Sequence, residues 1–235
     1  MTGSAMTVET IERRYRWWWV RHAPITGAEG RWIGRTDVGC GAIDPVLAES
    51  LAAVLPVGAV WLASGYRRTL ETVAVLRAHR PDAAAPLIER DFAEQDFGDW
   101  DGQRYEDLGR TGGAAYWRFW DHPATARPPG GESFAEVLIR VGAAIERRMA
   151  RPLGSSPIGS PVASVDFVVV AHAGTIRAAL AAALGLVAEP ALSFEVAPLS
   201  LTRIDFGLSA GSDKGGPDRD WRRIVFSNRI CSGYP

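Results

Sequence analysis

Cysteine is scarce in this sequence: Cys40 and Cys231 are far apart, and neither stands in a Cys-x-x-Cys or Cys/His metal spacing. A bridge between them and two free thiols both satisfy the count, thiols being the simpler reading in a reducing cytosol. Long apolar runs are missing too, and nothing approaches the roughly 20 residues that span a bilayer. The first fifteen residues carry Glu9, Glu12, Arg13 and Arg14 and no apolar core, so no signal peptide and a cytoplasmic location are expected. Excess charge of either sign is absent, since 26 Lys+Arg against 27 Asp+Glu leave −1. No general field therefore draws nucleic acid or an anionic membrane. Nor does any basic stripe with interleaved aromatics suggest a nucleic-acid partner. No ligand cluster for a metal is visible, and neither metal nor other cofactor is expected.

What remains is an ordinary apolar and charged mixture in a chain long enough for one large domain. The aromatic and β-branched run Arg16 to Val20 suits a buried strand. A Gly- and Pro-bearing loop from Pro24 to about Ile43 precedes a helix to Leu55, with Asp44 at its cap and Pro45 at the first helical position. Ala59 to Ala63 reads as a strand, Tyr66 to about His79 as a helix. Residues 92 to 131 are Trp- and Gly-rich, with one or two short helices around Tyr105 to Asp121. Phe134, Val137, Leu138, Val141 and Ile145 give Glu132 to about Arg151 a helical period. A Pro-, Gly- and Ser-rich stretch, 152–164, reads as a flexible surface loop. Asp166 to Ala171 is the clearest strand, followed by an Ala-rich helix from Gly174 to Leu184. Leu199 to Phe206 and Trp221 to Ser227 suit two strands joined by a Gly- and Asp-rich turn. The alternation predicts an α/β fold, a single three-layer domain over 16–235 with a mostly parallel central sheet and helices on both faces, behind a polar tail over 1–15.

Two of the four histidines occupy equivalent places: His22 follows the first strand and His172 the Asp166 strand. Open α/β sheets bind ligands beyond the carboxyl ends of their strands. Small residues follow each, Ala23 and Ala173-Gly174, so a ligand can approach the backbone and the N–H groups of the next helix. His79 and His122 lack this setting and read as surface residues. Arg21 precedes His22, and Arg67-Arg68 lie just past the Ala59 strand. Cations in a helix's first turn oppose its dipole unless an anion is bound nearby. A guanidinium pair facing two imidazoles suits a tetrahedral phosphate.

Five motifs then occur in order: Arg21-His22-Ala23, Ser64 through Arg68 to Thr72, Glu94 through Phe97-Gly98 to Gly102, Gly130-Gly131-Glu132-Ser133, and His172-Ala173-Gly174. From about residue 16 to 206 the chain resembles the histidine phosphatase superfamily, which also contains the cofactor-dependent phosphoglycerate mutases. The resemblance implies that His22 is the nucleophile that becomes phosphohistidine. Arg21, Arg68 and His172 would surround the phosphoryl oxygens, and Glu94, set in register by Phe97-Gly98, would protonate the leaving oxygen. Asp91, Asp96, Asp99 and Asp101 read instead as loop-capping or solvated groups, and Trp100 and Phe97 as core. Two positions depart from the family pattern. Ala23 replaces the usual glycine, and Ala28 stands near an asparagine that touches phosphate in many members, with Thr26 or a backbone amide to compensate.

These roles obey simple chemistry. A neutral imidazole is a competent nucleophile, and a covalent intermediate divides one hard displacement into two easier ones. Fixed cations stabilise the charge on the equatorial oxygens of a loose transition state. The expected partner is a small phosphate ester, with a homodimer left open. In motif wording the chain is most similar to α-ribazole-5′-phosphate phosphatases, which act late in assembling the cobalamin lower ligand. Tyr105, Tyr116, Trp117, Phe119 and Trp120 either stack on a substrate's base or pack a helix onto the domain, and packing is favoured. A mutase, for which Arg104, Arg110, Arg118 and Arg127 would supply a basic pocket, and an inert phosphate-binding module on the same scaffold are the alternatives.

Overall fold

A computed structural model describes residues 12–150, 162–209 and 220–231. At the centre of a six-stranded sheet, β1 (Glu12–Arg21) and β4 (Val162–Ala171) run parallel and paired along their whole length. Beyond β4 lie β2 (Val60–Ala63) and the two-residue β3 (Leu87–Ile88), both parallel to it. On the other side β5 (Leu201–Ser209) is antiparallel to β1, and β6 (Trp221–Arg229) is antiparallel to β5. The order is β3-β2-β4-β1-β5-β6, in which β5 alone opposes the common direction. The expected mostly parallel α/β sheet is therefore present.

Alternation along the strands supplies two cores. Tyr15, Trp17 and Trp19 share one face with Phe167 and Val169, beneath α5 (Phe134–Met149) and α6 (Ala173–Leu184). Val20, Trp61, Val168 and Val170 share the other, beneath α1 (Pro45–Val54) and α2 (Arg67–Ala78). The Trp17 ring stacks on Phe167 at 4.4 Å between centroids, and Phe92 meets Trp17 and Trp19 edge-on. A third cluster joins Trp32 and Trp100 to Leu108, Tyr116 and Phe119 of the short helices α3 (Tyr105–Thr111) and α4 (Gly113–Asp121). Packing thus accounts for Tyr116 and Phe119, while Trp117 and Trp120 remain exposed.

Two helix starts carry side-chain caps, and the one at Asp44 was expected. Asp44 Oδ1 accepts from the Val46 amide, and Ser133 with Glu136 forms a reciprocal capping box at α5. That box starts α5 at Phe134, two residues later than its periodicity suggested. The largest corrections are at the strand starts. β1 begins at Glu12, inside the segment read as tail, because Tyr15 continues the inward alternation of Trp17 and Trp19. β4 begins at Val162, inside the stretch read as a loop, since it pairs with β1 to the end. The rest of that loop, the first eleven residues and the β5–β6 turn lie outside the described residues. Among the described residues no helix is long and apolar enough to cross a membrane. Trp17→Ala empties the centre of the first core and is expected to cost about 3–5 kcal/mol of stability, read by urea unfolding.

Candidate active site

Arg21 faces Ala171 on the last rung of the β1–β4 pairing, so His22 and His172 leave the sheet side by side. Their ring centroids are 5.2 Å apart, with planes inclined by 64°. His22 Nδ1 lies 2.7 Å from the Ala23 carbonyl oxygen. A carbonyl only accepts, so Nδ1 carries the hydrogen and Nε2 is the basic nitrogen. Burial first, then the charges of Arg68 and Arg21, push the His22 pKa down to about 3 against the opposing bond to Ala23. The ring is neutral near pH 7.

His172 is fully buried behind it. Arg68 Nε donates to His172 Nδ1 at 3.2 Å, which leaves the hydrogen on Nε2 to be given to Ser64 Oγ at 2.8 Å. Burial, with the charge of Arg68 beside it, holds the His172 pKa well below its usual value. Arg68 is itself buried in the first turn of α2. Its Nη1 donates to Thr36 O at 2.9 Å and its Nη2 to Gly34 O at 2.7 Å, while the guanidinium carbon lies 4.8 Å from the centre of the Tyr66 ring. The 34–36 loop that receives it hangs on Asp101, whose carboxylate accepts from the amides of Gly34, Arg35 and Thr36 and from the Thr36 hydroxyl. Asp101 therefore caps a loop as expected, as does Asp96 on the Gly98 amide. Arg67 points elsewhere, pairing with Glu71 on the surface.

Glu94 reaches the same place from the loop after β3. Its carboxylate accepts from the Gly174 amide, in the first turn of α6, at 3.3 Å, and from the Gln95 amide at 3.0 Å. A side chain at position 174 would collide with Glu94 Oε1, which explains the glycine of the third strand-end motif. Arg21 Nη1 donates to Val196 O at 2.6 Å. Burial lowers the pKa of both arginines and the Glu94 charge opposes this, while a guanidinium keeps its proton at neutral pH.

Arg21, His22 and Glu94 line an open cleft of about 900 Å³, with His172 and Arg68 buried behind it. Ala28 is on the wall and brings no polar side-chain atom there. Thr26, expected to compensate, sits close to Gly41 and is not part of that wall. Phe97, read as core, is a half-buried wall residue, whereas Trp100 is buried as expected. Among the wall residues that were not singled out for the site from the sequence, or were left between two roles, are the polar and aromatic side chains of Glu29, Arg31, Trp32 and Tyr105. Arg31 Nη1 donates to Gly102 O at 2.7 Å, and the Tyr105 ring meets Trp32 edge-on at 4.9 Å. Only the place of Glu29, Arg31 and Trp32 in the loop after His22 could have signalled them. Arg104, Arg110, Arg118 and Arg127 are all absent from the wall. Arg110 pairs with Glu106 and Asp107, and Arg127 with Glu136. Among the described residues no three His, Cys, Asp or Glu side chains gather as a metal site.

The neutral imidazoles make stability depend on pH. The unfolded chain protonates His22 below its ordinary 6.5, while the folded chain resists until about 3. Stability is therefore complete above pH 6.5 and falls as the pH drops toward 3. His22→Asn is expected to lose less stability than the wild type between about pH 7 and about pH 4.5, measured by urea unfolding at both values.

Shared fold is what the solved structures report at their low identity. An Escherichia coli K-12 protein, provisionally described as an α-ribazole-5′-P phosphatase, superposes with a TM-score of 0.74 at 21% identity, covering 94% of this chain and 99% of its own. The α-ribazole phosphatase of Shigella flexneri gives 0.70 at 20%, covering 94% and 99%. A mycobacterial glucosyl-3-phosphoglycerate phosphatase gives 0.71 at 23%, covering 92% and 99%. No curated protein matches the sequence. The family itself comes from the sequence: the model of branch 1 of the histidine phosphatase superfamily matches residues 17–212, and the chain belongs to that superfamily.

Proposed function

We propose that this protein is a metal-independent phosphomonoesterase acting through a phosphohistidine at His22. The observation that carries the reading is a neutral, oriented imidazole against a second one, 5.2 Å away, with the buried guanidinium of Arg68 and the half-buried one of Arg21 around the pair. His22 Nε2 attacks phosphorus and the ester P–O bond breaks, while Glu94 gives the departing oxygen its proton. Glu94 then takes a proton from water, the oxygen attacks phosphorus, and the N–P bond breaks to release phosphate and neutral His22. Arg21, Arg68 and His172 stabilise the transferring group, as fixed donors do for charge that spreads in the transition state.

Hydrolysis is favoured over mutase chemistry because the four arginines between 104 and 127 are absent from the cleft wall. An inert binding module is disfavoured by the retention of both histidines. For the substrate we keep α-ribazole-5′-phosphate, on motif wording and on the half-exposed Tyr105 ring in the wall, which can stack on an aromatic base. Arg31 in the same wall favours a second reading, an ester with another anionic group such as glucosyl-3-phosphoglycerate. The enzyme would serve a small-molecule pathway in the cytoplasm.

Incubation with a ³²P-labelled ester is expected to leave an acid-labile label on the wild type and none on His22→Ala, with turnover unchanged by EDTA. Label persisting in His22→Ala, or activity lost to EDTA, would overturn the reading. A screen of phosphorylated metabolites that includes both candidates decides the substrate. Gly174→Ala pushes the Glu94 carboxylate aside and is expected to lower kcat by about 10²-fold or more, since a positioned acid contributes that much. Steady-state assay with phenyl phosphate checks it.

A further inference from the structure

One sequence motif has no part in the chemistry above: Gly130-Gly131-Glu132-Ser133. Ser133 caps α5, yet Glu132 turns away from that helix start and forms a fork with Arg140, one of α5's own residues, through Nε–Oε2 at 3.0 Å and Nη2–Oε1 at 2.7 Å. The same guanidinium donates to three carbonyls of the chain that carries Glu94: Asp91 O at 2.8 Å, Ala93 O at 3.0 Å and Glu94 O at 3.1 Å. These five bonds equal the five N–H groups of an arginine. Glu132 completes the clamp, since its Oε1 also accepts from the Asp96 amide at 3.0 Å and its carbonyl from Gln95 Nε2 at 2.8 Å. Thr175 of α6 holds the same segment by donating to the Ala93 carbonyl at 2.8 Å.

Among the described residues the Glu94 carboxylate is hydrogen-bonded only by the backbone amides of Gln95 and Gly174, so its place is set by where residues 91–96 run against the start of α6. We infer that Arg140, fixed by Glu132, is a positioning residue that holds the Glu94 carboxylate at the leaving oxygen. The inference rests on the proposed phosphatase reading. A misplacement of about 1 Å far from the reacting atoms can cost about 10²-fold in rate. The cost should fall on proton delivery, with the attack by His22 spared.

The test compares two esters. Phenyl phosphate needs a proton on its departing oxygen, whereas 2,4-dinitrophenyl phosphate releases a stable anion. Arg140→Ala is expected to lower kcat/KM, which reports the steps up to departure of the alcohol and leaves out the hydrolysis that both esters share, by about 10²-fold for phenyl phosphate while leaving the dinitrophenyl ester within about threefold. Glu132→Gln keeps the charge of Arg140, which also bears on His172, and should show the same imbalance at smaller size. If Arg140→Ala does not fold, the ratio in Glu132→Gln decides alone. Equal losses on both esters, or none, overturn the positioning role while the phosphatase reading stands. A wild type that cleaves neither ester overturns both.

Discussion

Pairing of β1 with β4 governs everything else in this molecule. Neither strand carries a reacting group within it, yet their common last rung, Arg21 opposite Ala171, decides that His22 and His172 emerge together. A slip of one residue would move Trp17 and Trp19 to the opposite face, into the core beneath α1 and α2, and separate the imidazoles at once. The inward residues Tyr15, Trp17 and Trp19 against Phe167 and Val169 make that slip expensive. Packing far from the cleft therefore sets the geometry of the chemistry.

Burial does the electrostatic work. Among the described residues no carboxylate is bonded to the Arg68 guanidinium; two carbonyls, an imidazole and the face of Tyr66 surround it instead. Such a charge is compensated but not neutralised. The same burial keeps both imidazoles uncharged, so the site offers a lone pair and positive potential together. Asp101 contributes at a distance, because the carbonyls that hold Arg68 belong to the loop it fixes.

Much of this was legible in the sequence. Strand runs ending in His22 and His172 carried their own meaning, and so did the Asp44-Pro45 start, the period of α5 and the order of the five motifs. The strand starts were hidden because Arg13 and Arg14 beside Tyr15 look like a tail unless the partner strand is known. β3 has two residues, too few for any period. Side chains such as Arg31 and Glu29 sit in a loop whose path depends on distant bonds to Gly102 and the helices behind it, and no local pattern announces that. Arg140 looked like an ordinary charge on a helix. Its role needs the three-dimensional course of residues 91–96.

Trp32 belongs to two places at once. It lines the cleft, and its ring also touches Phe97, Trp100, Tyr105, Phe119 and Trp120, so it forms the hub of the aromatic cluster under α3 and α4. A ligand that filled the cleft would meet that hub, and its occupancy would then be thermodynamically linked to the packing of the two helices. Substitutions on α3 or α4 that never meet a ligand can reshape the cavity through this one indole. Substrate preference in such a protein can drift by repacking α3 and α4, with His22, His172, Arg21 and Arg68 left untouched.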